Sequence, residues 1–472
     1  MRKFLSISSC ILIFLTLSCK DGSKEIPKES SKESNKESFD LVISNANVID
    51  VQSGEITKQT LYINKGILVE TTPEMKTGFH TFTHINVKGA YVLPGFWDNH
   101  VHFRGGEPLI AQNEKFLAQY INYGITTVRD AGGDLTPQVQ QWNQEIQAGK
   151  RIGPTIYTSG PKLDGPKARW EGSLPVSSQE DITTALDSLQ ALGTDYVKLY
   201  DSTLSRKHYL DIIKAAETRG MITSGHMPFT VELEEAIDAG LDNVEHLYYV
   251  LKGCSSKEKE ITQQIIDGKL GFWGSMAQLI ATYDEATAKQ TFTRLKSNNV
   301  FVTPTLHIGD ILSYLDEVDH SQDPYLSHLE DAFVKTYEGR VKGALNASAK
   351  AKKDRKELQQ FFIQLTKSLH DAGVRILAGS DCGAFNSYTY PGPSLHKELE
   401  QMVIAGLTPL QALQTSGYNG SQFLQKEGYG IAISNKADLV ILSKNPLEDI
   451  RNTQSVIHTI KNGRLHTIEN TD

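Results

Sequence analysis

Two histidines one residue apart close an apolar run early in the chain. The run spans residues 92–97 and is followed by Asp98, Asn99, His100 and then His102. Since residues i and i+2 of a strand share a face, both imidazoles point the same way. Such a pair suits a divalent metal, although two ordinary polar residues that close a strand would give the same pattern. The other ligands must come from elsewhere in the chain.

Other side chains with metal-binding groups follow apolar runs further along the chain. They are Lys198, His226, His246 and Asp381, each at or near the end of a predicted strand. In an α/β barrel the catalytic groups lie at the carboxyl ends of the strands, on one face. Their shared position therefore predicts one site. Each also has a structural explanation: a core histidine, a salt-bridged lysine or an aspartate that caps a helix.

The elements that must position these residues alternate between apolar strands and helical stretches, which predicts βα units and a parallel sheet. Together with the strand that carries His100, the predicted strands number eight, at 126–130, 155–159, 196–200, 221–226, 243–247, 300–305 and 374–381. Eight strands make a TIM (β/α)8 barrel, whereas a doubly wound open sheet would normally have fewer strands and a phosphate loop. Residues 251–299 are an additional stretch, with a further strand-like run at 270–273.

Strand-like runs also flank this middle at both ends of the chain. Alternating apolar residues and turn residues predict strands within 39–93 and again within 428–472. We predict that these two segments form one small composite β-sandwich domain. The TIM-barrel domain then spans residues 94–427.

Composition argues for a globular protein that does not bind nucleic acid. Of the 472 residues 39% are hydrophobic and 22% are charged, and the formal net charge is −8. Nucleic-acid binding would require a basic face. The expected ligand is instead a small molecule or short peptide, and a homo-oligomer is compatible with the sequence.

The beginning of the chain has the features of an export signal. Residues 1–18 carry a basic pair and an apolar stretch too short to cross a bilayer, which predicts a signal peptide. Residues 15–19 resemble a bacterial lipobox in which Cys19 becomes the lipid-modified first residue; a plain cleaved signal is the alternative. Residues 19–38 then form a charged low-complexity tether, in which Lys-Glu recurs every four residues. We expect an exported lipoprotein, in the outer membrane or facing the periplasm, that contacts the membrane only through its lipid.

These motifs together resemble the amidohydrolase superfamily, and within it the imidazolonepropionase-related branch that includes metal-dependent prolidases and dipeptidases. The resemblance covers roughly residues 39–470. The motifs that carry it lie at residues 93–102, 196–200, 244–246, 378–381, 395–400, 405–413 and 436–440. The chain departs from the family at residues 416–420, where Ser-Gly-Tyr-Asn-Gly replaces the usual Ala-Thr-x-Asn-Pro-Ala turn.

The resemblance implies a site for two divalent metals. His100, His102 and Asp381 would hold one metal, and His226 and His246 the other. An ammonium group would be repelled there, so Lys198 would be neutral, or carboxylated to a carbamate that bridges the metals. Imidazole and carboxylate ligands suit zinc. A hydroxide between the metals would attack the substrate, and Asp381 would take its proton and deliver it to the leaving nitrogen.

Substrate recognition is expected in the loops that follow the strands. Arg169 follows strand three, Tyr248 strand six and His307 strand seven, and each is a candidate for substrate binding or for loop packing. We also expect Arg129 and Asp130 to form an ion pair.

The sequence predicts a metal-dependent hydrolase of amide bonds, with dipeptides as the leading substrate class. One alternative is a mononuclear deaminase or cyclic-amide hydrolase of the same superfamily, in which Lys198 is not a ligand. Another is a surface binding lipoprotein without catalysis, whose signature would be the loss of ligands.

Overall fold

The computed structural model of the protein describes residues 37–468. The predicted signal peptide, Cys19 and most of the tether lie outside these residues. Within the described part of the chain, no helix combines the length and the apolar character needed to cross a membrane.

Strands and α-helices alternate in the middle of the described chain. The strands are β1 (Ser38–Ile49), β2 (Ile56–Asn64), β3 (Ile67–Thr72), β4 (His80–Asn86), β5 (Tyr91–Pro94), β6 (Phe96–His102), β7 (Ile125–Asp130), β8 (Thr155–Thr158), β9 (Leu163–Asp164), β10 (Leu174–Pro175), β11 (Val197–Leu199), β12 (Thr223–Gly225), β13 (Asn243–Glu245), β14 (Phe301–Thr303), β15 (Cys382–Gly383), β16 (Leu439–Leu442), β17 (Val456–Lys461) and β18 (Arg464–Thr467). The α-helices are α1 (Ile110–Asn122), α2 (Thr136–Gln147), α3 (Gln179–Leu192), α4 (Arg206–Thr218), α5 (Leu233–Ala239), α6 (Tyr248–Gly253), α7 (Glu258–Ile266), α8 (Phe272–Ala281), α9 (Glu285–Ser297), α10 (Leu306–Tyr314), α11 (Asp331–Lys335), α12 (Glu338–Leu345), α13 (Ala349–Asp371), α14 (Pro393–Ile404) and α15 (Pro409–Phe423). Short 3-10 turns lie at Glu107–Leu109, Pro324–His328 and Ile450–Gln454.

An eight-stranded sheet combines strands from both ends of the chain. Its order is β18-β17-β16-β5-β1-β2-β3, and β4 pairs in parallel with β1. The two ends meet where β16 pairs antiparallel with β5, placing Leu439 opposite Pro94. Ile43, Leu61 and Ile441 belong to an apolar core specific to this sheet. The terminal segments therefore share one sheet, while their organisation as a separate β-sandwich domain stays a prediction.

The parallel strands of the middle form two ladders, β15-β6-β7-β8 and β10-β9-β11-β12-β13-β14. Single contacts connect the ladders: the backbone N–H of Asp195 donates to Thr158 O at 2.9 Å, and Val302 forms an isolated bridge with Ile376. Apart from this single bridge, the predicted eighth strand at 374–381 does not pair with β14. The α/β fold with parallel strands is therefore confirmed, but the ladders do not close into the predicted TIM barrel.

The helices around these strands bury one apolar face each, and α3 shows how the sequence achieves this. The Ser178 side chain accepts a hydrogen bond from the N–H of Asp181 and begins the helix, and Gly193 ends it in a left-handed conformation. Ile182, Leu186 and Leu189 follow at helical spacing and are completely buried in the main core.

Helix α15 packs closely on β6, the strand that carries the two histidines. The Ser416 hydroxyl accepts from the N–H of Trp97 and donates to its carbonyl, both at 2.8 Å. The Asn99 amide donates to the carbonyls of Ala378 and Ser416, each at 3.0 Å. A Cβ at Gly420 would lie 2.3 Å from the Asn99 side-chain oxygen. Residues 416–420, expected in place of the family turn, lie within helix α15, and Gly420 leaves room for the Asn99 side chain.

The strand-like run predicted at 270–273 is wrong. Gly271 precedes α8, whose first two residues are Phe272 and Trp273. An apolar run of four residues does not distinguish a strand from a buried helix. Phe272 packs on Phe229 with ring centroids 4.5 Å apart, so the stretch 251–299 is a helical insertion.

Candidate active site

The six predicted metal ligands lie at the carboxyl ends of the parallel strands or directly after them. His100 and His102 end β6, Lys198 lies in β11, His226 follows β12, His246 follows β13 and Asp381 precedes β15. Ligand atoms of His100, His246 and Asp381 all lie within 4.8 Å of one another. We call His100, His102 and Asp381 the first half of the site, and His226 and His246 the second half.

In the first half, imidazoles meet a carboxylate directly. Asp381 Oδ1 lies 2.7 Å from His102 Nε2 and 3.3 Å from His100 Nε2. The Asn386 amide donates to the same oxygen at 2.9 Å. The N–H of Asp381 donates to His100 O at 2.8 Å, which holds the end of the predicted eighth strand against β6. Asp381 Oδ2 makes no hydrogen bond within residues 37–468.

In the second half, each imidazole has a partner on its outer side. His226 Nδ1 lies 3.1 Å from Asp201 Oδ1, and His246 Nδ1 lies 2.7 Å from the Thr305 hydroxyl. The two imidazole rings face each other edge to face, with centroids 4.8 Å apart. Their outer nitrogens are therefore engaged, and their inner nitrogens remain for a ligand.

Backbone strain marks three residues of the site. Asp381, His246 and Thr305 have φ values of 54°, 67° and 53°, in the left-handed region that side chains other than glycine rarely adopt. Each such residue costs on the order of 1–3 kcal/mol and persists only where surrounding contacts hold it. The left-handed turn at His246 also ends the alternation of β13, so Glu245 and His246 both reach the site region.

Glu245 lies beneath the ligands and was not predicted from the sequence. Its carboxylate contacts Lys198 Nζ, lies 3.4 Å from His100 Nδ1 and 3.3 Å from Arg129 Nη1, and accepts from the Ser224 hydroxyl at 2.6 Å. All these side chains are buried. A carboxylate directly before His246, at the end of a predicted buried strand, was the available signal.

The expected ion pair between Arg129 and Asp130 is wrong. Arg129 reaches inward to Glu245 and Ser224. Asp130 accepts instead from the N–H groups of Phe103 and Gly132. Neighbouring residues of a strand point to opposite sides, so they cannot meet across it.

Burial sets the charge of the candidate ligands. It lowers the pKa of His100 to about 4 and also lowers the pKa values of His102, His226 and His246. The imidazoles are therefore neutral at pH 7, which is the form that binds metals.

The pKa values of Asp381 and Lys198 both lie below their usual ranges. Burial raises the pKa of Asp381, but the imidazoles of His100 and His102 outweigh burial and hold that pKa well below its usual range. Burial and the charge of Arg129 lower the pKa of Lys198, against which the adjacent Glu245 carboxylate acts in the opposite direction. Asp381 is therefore anionic at pH 7, and burial favours a neutral Lys198 amine.

The donor set fits a divalent metal. Both ring nitrogens of His100 and Nδ1 of His102 are buried and lack a well-directed hydrogen bond among residues 37–468. A buried polar atom without a partner costs about 1–3 kcal/mol. Neutral imidazoles beside one carboxylate are the ligands that zinc and related metals accept. A metal bound by His100, His246 and Asp381 would give one ring nitrogen of His100 a partner.

The profile of the amidohydrolase family matches residues 91–466. The chain belongs to the amidohydrolase family. Membership of this family is consistent with a metal-dependent hydrolase of carbon–nitrogen bonds.

Relatives of this amidohydrolase act on different compounds. An adenine deaminase of Halalkalibacterium halodurans is 24% identical over 287 residues, which are 60% of this chain and 46% of the relative. The chain thus spans less than half the length of that enzyme. The structure of a bottromycin amidohydrolase has a TM-score of 0.71 at 20% identity, covering 91% of this chain and 87% of the other. A Xaa-Pro dipeptidase with bound methionine has a TM-score of 0.66 at 18% identity, covering 90% and 99%. These structural likenesses establish the fold.

The three predicted substrate residues of the amidohydrolase lie in different surroundings. Arg169 is exposed, with its guanidinium 5.5 Å from the ring centroid of Trp170. His307 is half-buried in α10, and burial lowers its pKa to about 3. Tyr248 is half-buried, its ring centroid is 6.5 Å from that of His246, and burial raises its pKa to about 12. Of the three, Tyr248 is the one with a ring contact to a candidate ligand.

A buried arginine next to the first half was also missed. Arg104 is only 5% exposed, and its guanidinium lies 4.5 Å from the ring centroid of Trp170. It donates to the side-chain oxygen of Asn386 at 2.9 Å, as Arg340 does at 2.7 Å. Asn386 in turn donates to Asp381. Its spacing of two residues from His102 would have indicated a side chain on the same face.

Proposed function

We propose that the protein is a binuclear amidohydrolase that cleaves the amide bond of small peptides, in the manner of a dipeptidase or prolidase, with two zinc ions as cofactors. One observation carries this proposal. Imidazoles from three separate strand ends converge with the Asp381 carboxylate, and the Lys198 side chain is buried beneath them.

The ligand set would bind the two metals as two groups. The first half would hold one ion and the second half the other. Burial lowers the pKa of Lys198 and so favours the neutral amine, which would take up carbon dioxide to give a carbamate ligand. Bound metals at such a site supply Lewis acidity toward water and toward the amide carbonyl.

Asp381 is placed to move the proton. Its Oδ1 atom is fixed by His102 and Asn386, which leaves Oδ2 to accept a proton from the attacking water. The same oxygen then delivers that proton to the leaving nitrogen, so one group serves as base and then as acid.

The surroundings of Asp381 support a substrate with a carboxylate. The buried guanidinium of Arg104 is linked to Asp381 through Asn386. A guanidinium binds a carboxylate in a charge-assisted hydrogen bond. Tyr248, next to His246, is a donor for the substrate carbonyl oxygen. These contacts favour dipeptides and N-acyl amino acids, whose leaving amine carries a carboxylate.

Metal analysis combined with a substrate panel tests the proposal. The protein, purified without chelator, should contain two zinc equivalents and should hydrolyse Xaa-Pro and other dipeptides in preference to amides without a carboxylate. Less than one equivalent after incubation with zinc and bicarbonate would overturn the binuclear site. If the metal-bound protein hydrolyses no compound of the panel, the proposed substrate class is overturned.

A mononuclear deaminase or cyclic-amide hydrolase is the second candidate. Two observations favour it: Lys198 contacts Glu245 as an ion pair would, and His100, His246 and Asp381 alone form a compact one-metal set. The relative that is an adenine deaminase agrees with this reading. Lys198→Ala separates the candidates, because a mononuclear enzyme keeps its metal content and activity, whereas a binuclear one loses both.

We further propose that the enzyme is exported and anchored through a lipid on Cys19. The support is the sequence of residues 1–38. Radiolabelled palmitate should label the wild-type protein and not Cys19→Ser. Equal labelling of both proteins would contradict the anchor.

A further inference from the structure

Two residues outside the predicted ligand set lie behind His226: Asp201 contacts its imidazole, and Tyr249 contacts Asp201. We propose that Asp201 and Tyr249 are positioning residues that orient His226 toward the metal held by the second half. This proposal rests on the binuclear function proposed above. Asp201 lies three residues after Lys198, and Tyr249 lies three residues after His246.

The contacts form a chain from Tyr249 to the imidazole. The Tyr249 hydroxyl donates to Asp201 Oδ2 at 2.9 Å, and Asp201 Oδ1 lies 3.1 Å from His226 Nδ1. The ring of Tyr200 covers one side of the imidazole, with centroids 4.4 Å apart and an angle of 30° between the planes. Tyr249 is 2% exposed. The imidazole is thus held at its edge by a carboxylate and on its side by a ring.

This geometry selects one tautomer of His226. Because a carboxylate accepts hydrogen bonds, Asp201 places the proton on Nδ1 and leaves the lone pair on Nε2. The ring of His246 lies on the inner side, at 4.8 Å between centroids. Nε2 is then the metal-binding atom. A carboxylate behind a ligating histidine also raises the basicity of that ligand.

The role of Tyr249 follows from the two oxygens of Asp201. With Oδ2 held by the tyrosine, the carboxylate cannot rotate away from the histidine. Tyr249 therefore acts on His226 through Asp201, and its removal should have the smaller effect. Neither residue needs to touch the substrate.

Zinc affinity of the full-length protein tests the proposal without reference to activity. Wild type, Asp201→Ala, Asp201→Asn and Tyr249→Phe are titrated with zinc in competition with a chromogenic chelator, in the presence of bicarbonate. Asp201→Ala should weaken one of the two zinc equivalents by roughly 10–100-fold. Asp201→Asn, which keeps an acceptor but loses the charge, should fall between Asp201→Ala and wild type, and Tyr249→Phe should show a smaller loss. Asp187→Asn is the matched control, because Asp187 pairs with Arg219 on the protein surface and is 63% exposed.

The outcomes separate positioning from a merely structural role. Unchanged affinity in Asp201→Ala overturns the proposal. A lower melting temperature of the metal-free variants with unchanged zinc affinity also overturns it. If Asp201→Ala does not fold, the zinc affinities of Asp201→Asn and Tyr249→Phe decide: weaker binding supports the proposal, and wild-type affinity overturns it.

Failure of the proposed function is visible separately. If wild type binds a single equivalent, the binuclear function fails. Asp201→Ala then still tests the orientation of His226: weaker binding of that equivalent supports the proposal, and wild-type affinity overturns it.

Discussion

The two halves of the site are built differently. In the first half, the ligands contact one another, with His102 Nε2 2.7 Å from Asp381 Oδ1, and both ring nitrogens of His100 lack a well-directed partner in the described chain. In the second half, His226 and His246 are each held from outside, by Asp201 and Thr305. One half is held largely by its own ligands, and the other by the protein around it.

This difference indicates how each half depends on metal. Outer hydrogen bonds fix imidazole orientation before a metal arrives, so the second half is preorganised. The first half keeps buried nitrogens that a metal would satisfy, so its order depends more on the bound ion. Changes in the first half should therefore have larger effects on catalysis and on metal-linked stability.

The largest expected effect is that of Asp381→Asn. The substitution removes the anionic oxygen that accepts the proton while keeping the size of the side chain. General acid and base catalysis contributes roughly 10²–10⁴-fold, so kcat should fall by about 10³-fold or more. Steady-state kinetics on the best substrate of the panel measures this. A fall of less than tenfold would show that the first half does not carry the proton transfer.

The second largest effect is expected for Arg104, the buried cation beside the first half. Arg104→Ala removes a charge-assisted hydrogen bond worth about 1.5–3 kcal/mol, so kcat/KM for a dipeptide should fall by roughly 10–100-fold. Arg169→Ala is the matched control: because Arg169 is exposed, its effect should stay within about twofold. Equal losses in the two variants, measured on one dipeptide, would contradict the assignment of Arg104 to the substrate carboxylate.

Metal removal should affect the two halves unequally. A ligand at one hundred times its Kd stabilises the folded state by about 2.7 kcal/mol, so a chelator should lower Tm clearly. Hydrogen exchange should accelerate more at the N–H of Asp381, bonded to His100 O, than at the N–H of His246, bonded to Thr303 O. Equal acceleration at both amides would remove the distinction between the halves.

The smallest effect is expected behind the second half, at Glu398. This buried carboxylate accepts from the N–H groups of Leu306 and His307 at the start of α10, next to Thr305, and burial raises its pKa from 4.5 to about 8. A raised pKa gives stability that is fully present below pH 4.5 and is lost as the pH rises through about 8.

Glu398→Gln cannot ionise, so the variant should lack this loss. Thermal melts of both proteins at pH 5 and at pH 8.5 should show Tm of the wild type falling by a few degrees more than that of the variant. Parallel melting curves would contradict the raised pKa.

Much of the site was predictable because its chemistry follows strand ends. His100, His102, His226 and His246 each close an apolar run, and parallel strands bring such ends to one edge of a sheet. The terminal strands were predictable from alternation, and β5 and β16 pair in one sheet, while the composite β-sandwich domain stays a prediction.

The other contacts of the site depend on three-dimensional geometry that the spacing of residues in the sequence does not predict. His246 reaches the same site region as Glu245 because the His246 backbone is left-handed, and no residue type in the sequence predicts that turn. Asp201 contacts His226 just beyond the ends of the paired strands β11 and β12, and the sequence alone does not give the register of that pairing. The run at 270–273 was misread because four apolar residues fit a strand and a helix equally.

The contact between α15 and β6 affects the order in which the two halves of the site can assemble during synthesis. The Asn99 amide joins β6 to Ala378 and to Ser416, and Gly420 leaves room for it. During synthesis from the amino end, His226 and His246 emerge with their outer partners Asp201 and Thr305 well before this contact exists. The first half must wait for Asp381 and for the helix after it. A chain stalled on the ribosome near residue 340 would therefore contain all residues of the second half, whereas its first half would still lack Asp381.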